Sequence, residues 1–134
     1  PISTSKFGEG SVENSYKTPL GLHQIKEKIG SEVAKNTIFI SRINTSRVAN
    51  IIELPIDSEE DLVTSRILWL DGLEIGANRG PGIDSFLRYI YIHGTQEEGL
   101  IGQKASHGCI RMFNSDVVYL YELVEKGTKV YIKA

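Results

Sequence analysis

Arg88-Tyr89-Ile90-Tyr91-Ile92-His93 alternates charged or ring-bearing residues with isoleucine, and the reading of this run decides the fold. A period of two is the signature of a β-strand with two unlike faces. The run predicts a central strand over 88–93 that ends at His93-Gly94-Thr95. Working outward, Arg66–Leu70 reads as a second strong strand, stopped by the turn pair Asp71-Gly72. Thr37-Ile38-Phe39-Ile40 within Asn36–Ile43 is a third, and Leu22–Ile29 a fourth, with His23, Ile25 and Glu27 on one partly exposed face. Pro1–Ser5 is a plausible opening strand and Thr128–Lys133 a closing one.

One helix is expected, over about 114–126. Asn114 suits an N-cap, and Asp116 complements the positive helix terminus. Val117, Leu120, Tyr121 and Val124 form an apolar stripe, and Gly127 supplies the stop. Thr18-Pro19-Leu20-Gly21 is turn chemistry. Gly76–Gly82 reads as a flexible surface loop, since no Lys-Ser/Thr follows to make it a phosphate loop. The stretch Asn44–Thr64 has no clear period. Its acidic cluster Asp57–Asp61 reads as a solvated loop or helix start, because it lacks calcium-loop spacing.

The 134 residues fit a single domain, 1–134, large enough to bury a core. A composition of 40% hydrophobic and 24% charged residues is that of a globular protein, and a net charge of −2 argues against a nucleic-acid binder. No apolar run reaches the roughly 20 residues that a membrane span needs. Beginning at Pro1 rather than Met, the chain reads as a processed or trimmed piece. The single cysteine, Cys109, rules out an internal disulfide and leaves either a small buried hydrophobe or a reactive thiol.

The neighbours of Cys109 favour the reactive thiol. The chain reads His93-Gly94-Thr95, then a loop, then Ser106-His107-Gly108-Cys109-Ile110-Arg111-Met112. A thiol becomes a good nucleophile when an imidazole takes its proton. His107, two residues upstream, shares a face with Cys109 in extended chain, and His93, sixteen upstream, sits at a strand end that the loop can fold back upon. Sequence alone does not choose between them. The N–H groups of Gly108 and Cys109 can hold an oxyanion, and the Gly94 carbonyl can orient an imidazole. Arg111 offers a planar fork for a substrate carboxylate. A closed zinc site would need a fourth ligand beside His93, His107 and Cys109, and none is evident, so no metal and no cofactor is expected.

These residues resemble the signature of the L,D-transpeptidases, the YkuD-type catalytic domain. The similarity extends to Ser3–Gly8, Thr18–His23 and Arg88–His93, and is weakest between Ser31 and Ser65. The resemblance implies a mainly β, sandwich-like fold with one C-terminal helix and a final strand. It implies a bacterial envelope or periplasmic enzyme acting on peptidoglycan stem peptides. In such an enzyme Cys109 attacks the amide between meso-diaminopimelate and the terminal D-alanine of a tetrapeptide stem. D-Alanine leaves, and an amine resolves the thioester. The resemblance makes His93 the base with Gly94 orienting it, and Ser106, His107 and Gly108 the shapers of the site and its oxyanion hole. It places Arg111 against the substrate and implies acylation by carbapenem-type inhibitors. An L,D-carboxypeptidase would use the same residues with water as acceptor, and a silent wall-binding module would keep the fold without the chemistry. A sortase fits less well, because its cysteine normally lies far from its histidine.

Overall fold

A computed structural model describes all of residues 1–134. Its centre is β5, Val63–Gly72, the longest strand. Ile67 and Trp69 point to one side of β5, Leu68 and Leu70 to the other, so both faces carry apolar cargo. Around β5 lie β1 (Ile2–Ser3), β2 (Gly21–Ile29), β3 (Thr37–Ile40), β4 (Ile43–Val48), β6 (Tyr91–Gly94), β7 (Ile110–Met112) and β8 (Lys129–Ile132). One sheet runs in the order β1-β7-β6-β5-β2-β8, with the β3–β4 hairpin attached to the start of β5. Register shifts between Ile25 and Glu27 of β2 and between Thr64 and Ile67 along β5 bend the sheet, as extra residues in one strand of a ladder do. The mainly β architecture with one helix, expected from the sequence, is the one found, and the sheet is curled.

Under one face lies helix α1, Asn114–Leu123. Val117 and Tyr121, four apart and so on one side of the helix, pack with Ile25, Leu68, Leu70, Ile90, Ile92 and Ile110 into the main core. On the opposite face Phe39, Ile67 and Tyr91 form a smaller cluster, with Trp69 and Cys109 against it. The thiol therefore stands on the sheet face away from the helix.

Two sequence expectations change at α1. The helix stops at Leu123 rather than near 126, because Val124 turns extended while Lys28 Nζ donates to its carbonyl at 2.7 Å. Asn114 is not the cap, since Phe113 holds that position. The Asn114 amide instead donates to the Thr95 carbonyl and Glu98 Oε2, each at 2.8 Å, and its Oδ1 accepts from Thr64 and Ser65 hydroxyls. It fastens the β6–β7 connection to β5. Gly94 has to be glycine there, because a Cβ would stand 2.4 Å from Asn114 Oδ1.

The expected strand over 88–93 begins only at Tyr91. Residues 85–90 form a helical turn instead, closed by Ile90 N–H to the Ser85 carbonyl (3.1 Å) and Tyr89 N–H to the Phe86 carbonyl (3.1 Å). That is the bond pattern of a Schellman closure, with Tyr89 at φ +58° in the left-handed position that usually belongs to glycine. The alternation of side chains continues through the turn, which is why sequence could not see it. The turn also throws the Arg88 and Tyr89 side chains toward the thiol face, where both line the same cavity as Cys109.

His23, expected on a half-exposed strand face, is wholly buried. Its Nε2 meets Ser85 Oγ at 2.8 Å and its Nδ1 the Gly21 carbonyl at 3.0 Å. Burial pushes its pKa below the ordinary value, as it does for His93. The unfolded chain then binds protons first as pH falls, so stability is complete above the unfolded value of about 6.5 and declines below it. Thermal melts should show a fall of a few degrees between pH 7 and pH 5, before any carboxylate titrates. A flat melting temperature across that interval would contradict a neutral, buried His23.

Candidate functional site

The parallel pairing of β6 with β7 sets His93 beside Arg111 and Ile92 beside Ile110. Carried one step back, the register puts Tyr91 beside Cys109, and the Tyr91 N–H donates to Cys109 Sγ at 3.3 Å. Tyr91, His93, Cys109 and Arg111 thus share one face, while Ile92 and Ile110 enter the helix-side core. His93 and Cys109 are diagonal neighbours there. The sulfur donates in turn to the Tyr89 carbonyl at 3.3 Å. Neither hydrogen bond of the sulfur goes to an imidazole.

His93 is buried, and its Nδ1 lies 2.5 Å from the Gly94 carbonyl. A carbonyl only accepts, so Nδ1 carries the proton and Nε2 keeps its lone pair. Burial holds the imidazole below its ordinary pKa, against the pull of that carbonyl and of Asp61, so the ring is neutral at pH 7. Burial also pushes the Cys109 thiol up to about 12, outweighing the Tyr91 N–H. The resting pair is a neutral thiol beside a neutral imidazole.

The loop that presents the thiol is held from both sides. Ser106 Oγ donates to the Cys109 carbonyl at 2.6 Å, and Thr18 Oγ1 to the Gly108 carbonyl at 2.9 Å. Lys6 N–H reaches the Ser106 carbonyl at 3.0 Å, and Ala105 N–H the Thr4 carbonyl at 2.8 Å. The N-terminal segment therefore clamps the motif. Gly108 adopts φ +126°, a conformation closed to L side chains, which explains glycine before the thiol. Its N–H donates weakly to Ser106 Oγ at 3.3 Å, whereas the Cys109 N–H has no acceptor within the chain and is free for a ligand.

Arg111 departs from its expected role. The guanidinium is 1% exposed and paired with two of the chain's own carboxylates, Glu97 at 2.8 Å and Asp61. Asp61 Oδ2 also holds His107 Nδ1 at 2.8 Å. Burial works to raise the Asp61 carboxyl, but Arg111 and His107 together keep it below the ordinary range. Glu97 is further fixed by the Ser58 hydroxyl at 2.9 Å. Arg111 is therefore the hub of a buried charge network and has no open fork for a substrate. His107 is tied to that network at the rim, edge-on to Tyr16 at 6.0 Å. Sequence reading left Asp61 in a solvated loop and passed over Glu97, Thr18, Tyr16 and Arg88. Only the unmatched buried arginine two residues past the thiol could have signalled that carboxylates must come to meet it.

The model of the YkuD family, the L,D-transpeptidase catalytic domain, matches residues 1–132. The chain belongs to this family. Among curated L,D-transpeptidases, it is 49% identical over 41 residues to the putative L,D-transpeptidase YqjB of Bacillus subtilis, an alignment spanning 31% of this chain and 23% of that protein. It is 46% identical over 43 residues to the probable L,D-transpeptidase YbiS of Escherichia coli, spanning 32% of this chain and 14% of that protein. The fold is shared with L,D-transpeptidase 3 of Mycobacterium tuberculosis, solved with a faropenem-derived adduct. That likeness has a TM-score of 0.57 at 19% identity, covering 100% of this chain and 44% of that one. It is shared also with LdtMt1 solved in complex with imipenem, at a TM-score of 0.52 and 17% identity, covering 99% of this chain and 47% of that one. The chain thus spans less than half the length of these solved relatives.

Truncating Arg111 tests the hub directly. Arg111→Ala leaves Glu97 buried without its cation and should cost about 3–5 kcal/mol in a denaturant titration. A freestanding substrate grip at the site rim would lose affinity on truncation and leave stability intact.

Proposed function

We propose that the domain is a cysteine-dependent peptidoglycan L,D-transpeptidase, with Cys109 as nucleophile and His93 as its base. The observation that carries this reading is the pinned imidazole: Gly94 holds the proton on Nδ1, so the free Nε2 lone pair belongs to a ring on the same sheet face as the sulfur. The substrate is the amide between meso-diaminopimelate and the terminal D-alanine of a tetrapeptide stem.

In this scheme Sγ bonds to the carbonyl carbon as its proton passes to His93 Nε2. The oxyanion is met by the unpaired Cys109 N–H, with Gly108 beside it. Collapse breaks the C–N bond, His93 returns the proton to the leaving D-alanine amine, and a thioester remains. An amine from a second stem then attacks, His93 takes its proton, and the thiol is restored as the new amide forms. Arg111 acts through Asp61 and Glu97 to hold the crossover and His107 in place, a positioning part rather than a contact with substrate. The family and the two β-lactam complexes of proteins with this fold support acylation of Cys109 by the same drugs. The site of action is the cell envelope. Within the chain, no helix is long and apolar enough to cross a membrane.

Intact-mass measurement after incubation with a tetrapeptide muropeptide or imipenem should show a covalent gain in the native protein and none in Cys109→Ala. Cross-linked dimers in the same reaction mark a transpeptidase, and a free tripeptide alone would make the domain an L,D-carboxypeptidase. His93→Ala should slow acylation by about a hundredfold or more, the usual weight of a general base, and His107→Ala far less. The reverse order would exchange their roles.

The neutral resting pair has its own signature. With the thiol at about 12, alkylation of Cys109 by iodoacetamide should rise about tenfold per pH unit from pH 7 to pH 10 without levelling. A plateau below pH 8 would mean that a thiolate–imidazolium pair already exists before substrate binds.

A further inference from the structure

With Arg111 spoken for, the thiol face holds another guanidinium that no carboxylate of the chain claims. Arg88 and Cys109 line one cavity of about 210 Å³, with Tyr16, Tyr89 and His107 among its other walls. The Arg88 head is held by backbone carbonyls alone: Nη2 donates to the Lys17 carbonyl at 2.7 Å and Nη1 to the Gly10 carbonyl at 3.4 Å. Five N–H groups radiate from a guanidinium, so this tethering leaves donors to spare. None of the chain's ion pairs includes Arg88. Glu13 lies at the exposed mouth of the same cavity and makes no bond to it. The neighbouring donors are otherwise engaged: the His107 ring and Arg111 with Asp61, and Arg42 stacked over Trp69 at 4.8 Å and donating to the Tyr91 hydroxyl at 2.9 Å.

We propose that Arg88 is the residue that reads a carboxylate on the substrate, one borne close to the carbonyl that Cys109 attacks. The tethers fix the fork before a ligand arrives, so little is lost in ordering it on binding. The backbone supports the placement. Tyr89 in its left-handed conformation ends the 85–90 turn, and this brings Arg88 against the 10–17 segment beside the sulfur. An ordinary strand through 88–90 would alternate Arg88 and Tyr89 to opposite faces, and only one of them would meet the thiol. The identity of the peptide rests on the acyl-transfer reading above; the carboxylate preference of the cavity does not.

That independence shapes the experiment. Iodoacetate and iodoacetamide both alkylate Cys109 by the same step, in which Sγ bonds to carbon and iodide leaves, but only the first carries a carboxylate. Their rate ratio at pH 9, followed by intact mass, should exceed the ratio for free cysteine by about tenfold in the native protein, because a charge-assisted hydrogen bond captures the anion. Arg88→Gln should return the ratio toward that of free cysteine, and Arg88→Lys should keep part of it through charge without the fork. A native ratio equal to that of free cysteine overturns the proposal without recourse to any variant, and so does an undiminished ratio in Arg88→Gln. In a second arm, tetrapeptide stems with a free or an amidated terminal D-alanine carboxylate, the one borne just past the scissile nitrogen, serve as donors. Arg88→Gln should raise KM about tenfold on the free acid and leave kcat nearly alone, which is the loss of uniform binding. Equal losses on both donors overturn the assignment. If the native protein turns over neither stem yet shows the Arg88-dependent alkylation ratio, the carboxylate site stands and the peptidoglycan reading falls.

Discussion

The parallel pairing of two short strands is the constraint on which this molecule is arranged. Strands that run the same way cannot be joined by a tight turn; the chain must leave one end, travel back and re-enter. Between β6 and β7 this return is Thr95–Cys109, and it explains why the imidazole and the thiol lie sixteen residues apart in sequence while they are diagonal neighbours on one sheet face. An antiparallel hairpin would have set a short spacing and the opposite strand direction. The motif spacing is the length of a crossover, read off in residues.

A crossover whose only helix is the single 3-10 turn Glu98–Leu100 must be held by something else, and here polar side chains hold it. Asn114 bonds it at Thr95 and Glu98, and Glu97 takes Arg111 from the next strand. Both fastenings are buried, where an unmatched amide or charge is costly, so each partner enforces the position of the others. Asp61 extends the network across the β4–β5 connection to His107 at the rim. The segment of the chain with the least regular sequence is thereby coupled to the motif loop. The charge network does not touch the sulfur by any hydrogen bond; what it holds directly is His107 and the β6–β7 crossover.

What sequence disclosed and what it concealed follow from the same physics. Short runs of apolar, β-branched or aromatic residues, Arg66–Leu70 and Thr37–Ile40, became strands, because such a composition is local and suits a strand buried on both faces. The thiol and imidazole were visible because their types are rare and chemically pointed. Asp61 was not, since an acidic residue in an acidic, aperiodic stretch looks the same whether it faces water or a buried arginine fifty residues away. Asn114 was misjudged for a related reason: an asparagine at a helix start caps by default, and only the β6–β7 crossover gives it a better partner. The 88–90 turn was hidden because a left-handed tyrosine leaves no mark on the side-chain pattern.

For the proposed acyl transfer, the electrostatics of the site are those of a reaction that waits for its substrate. A thiol raised by burial and an imidazole lowered by burial are both stabilised in their neutral forms, and transferring the proton between them at rest is strongly uphill. What changes on binding is the charge to be stabilised. In the proposed acyl transfer, once the sulfur bonds to a carbonyl the negative charge moves to an oxygen that the Cys109 N–H can meet, and the proton moves to a ring whose far nitrogen already leans on Gly94. The same burial that makes the free thiolate unfavourable strengthens those contacts, because hydrogen bonds to charge are stronger where water is excluded. A neutral pair of this kind spares the thiol from adventitious oxidants, which attack thiolates, and in the proposed scheme leaves it ready for a neutral acyl carbonyl that becomes an oxyanion only as the sulfur adds.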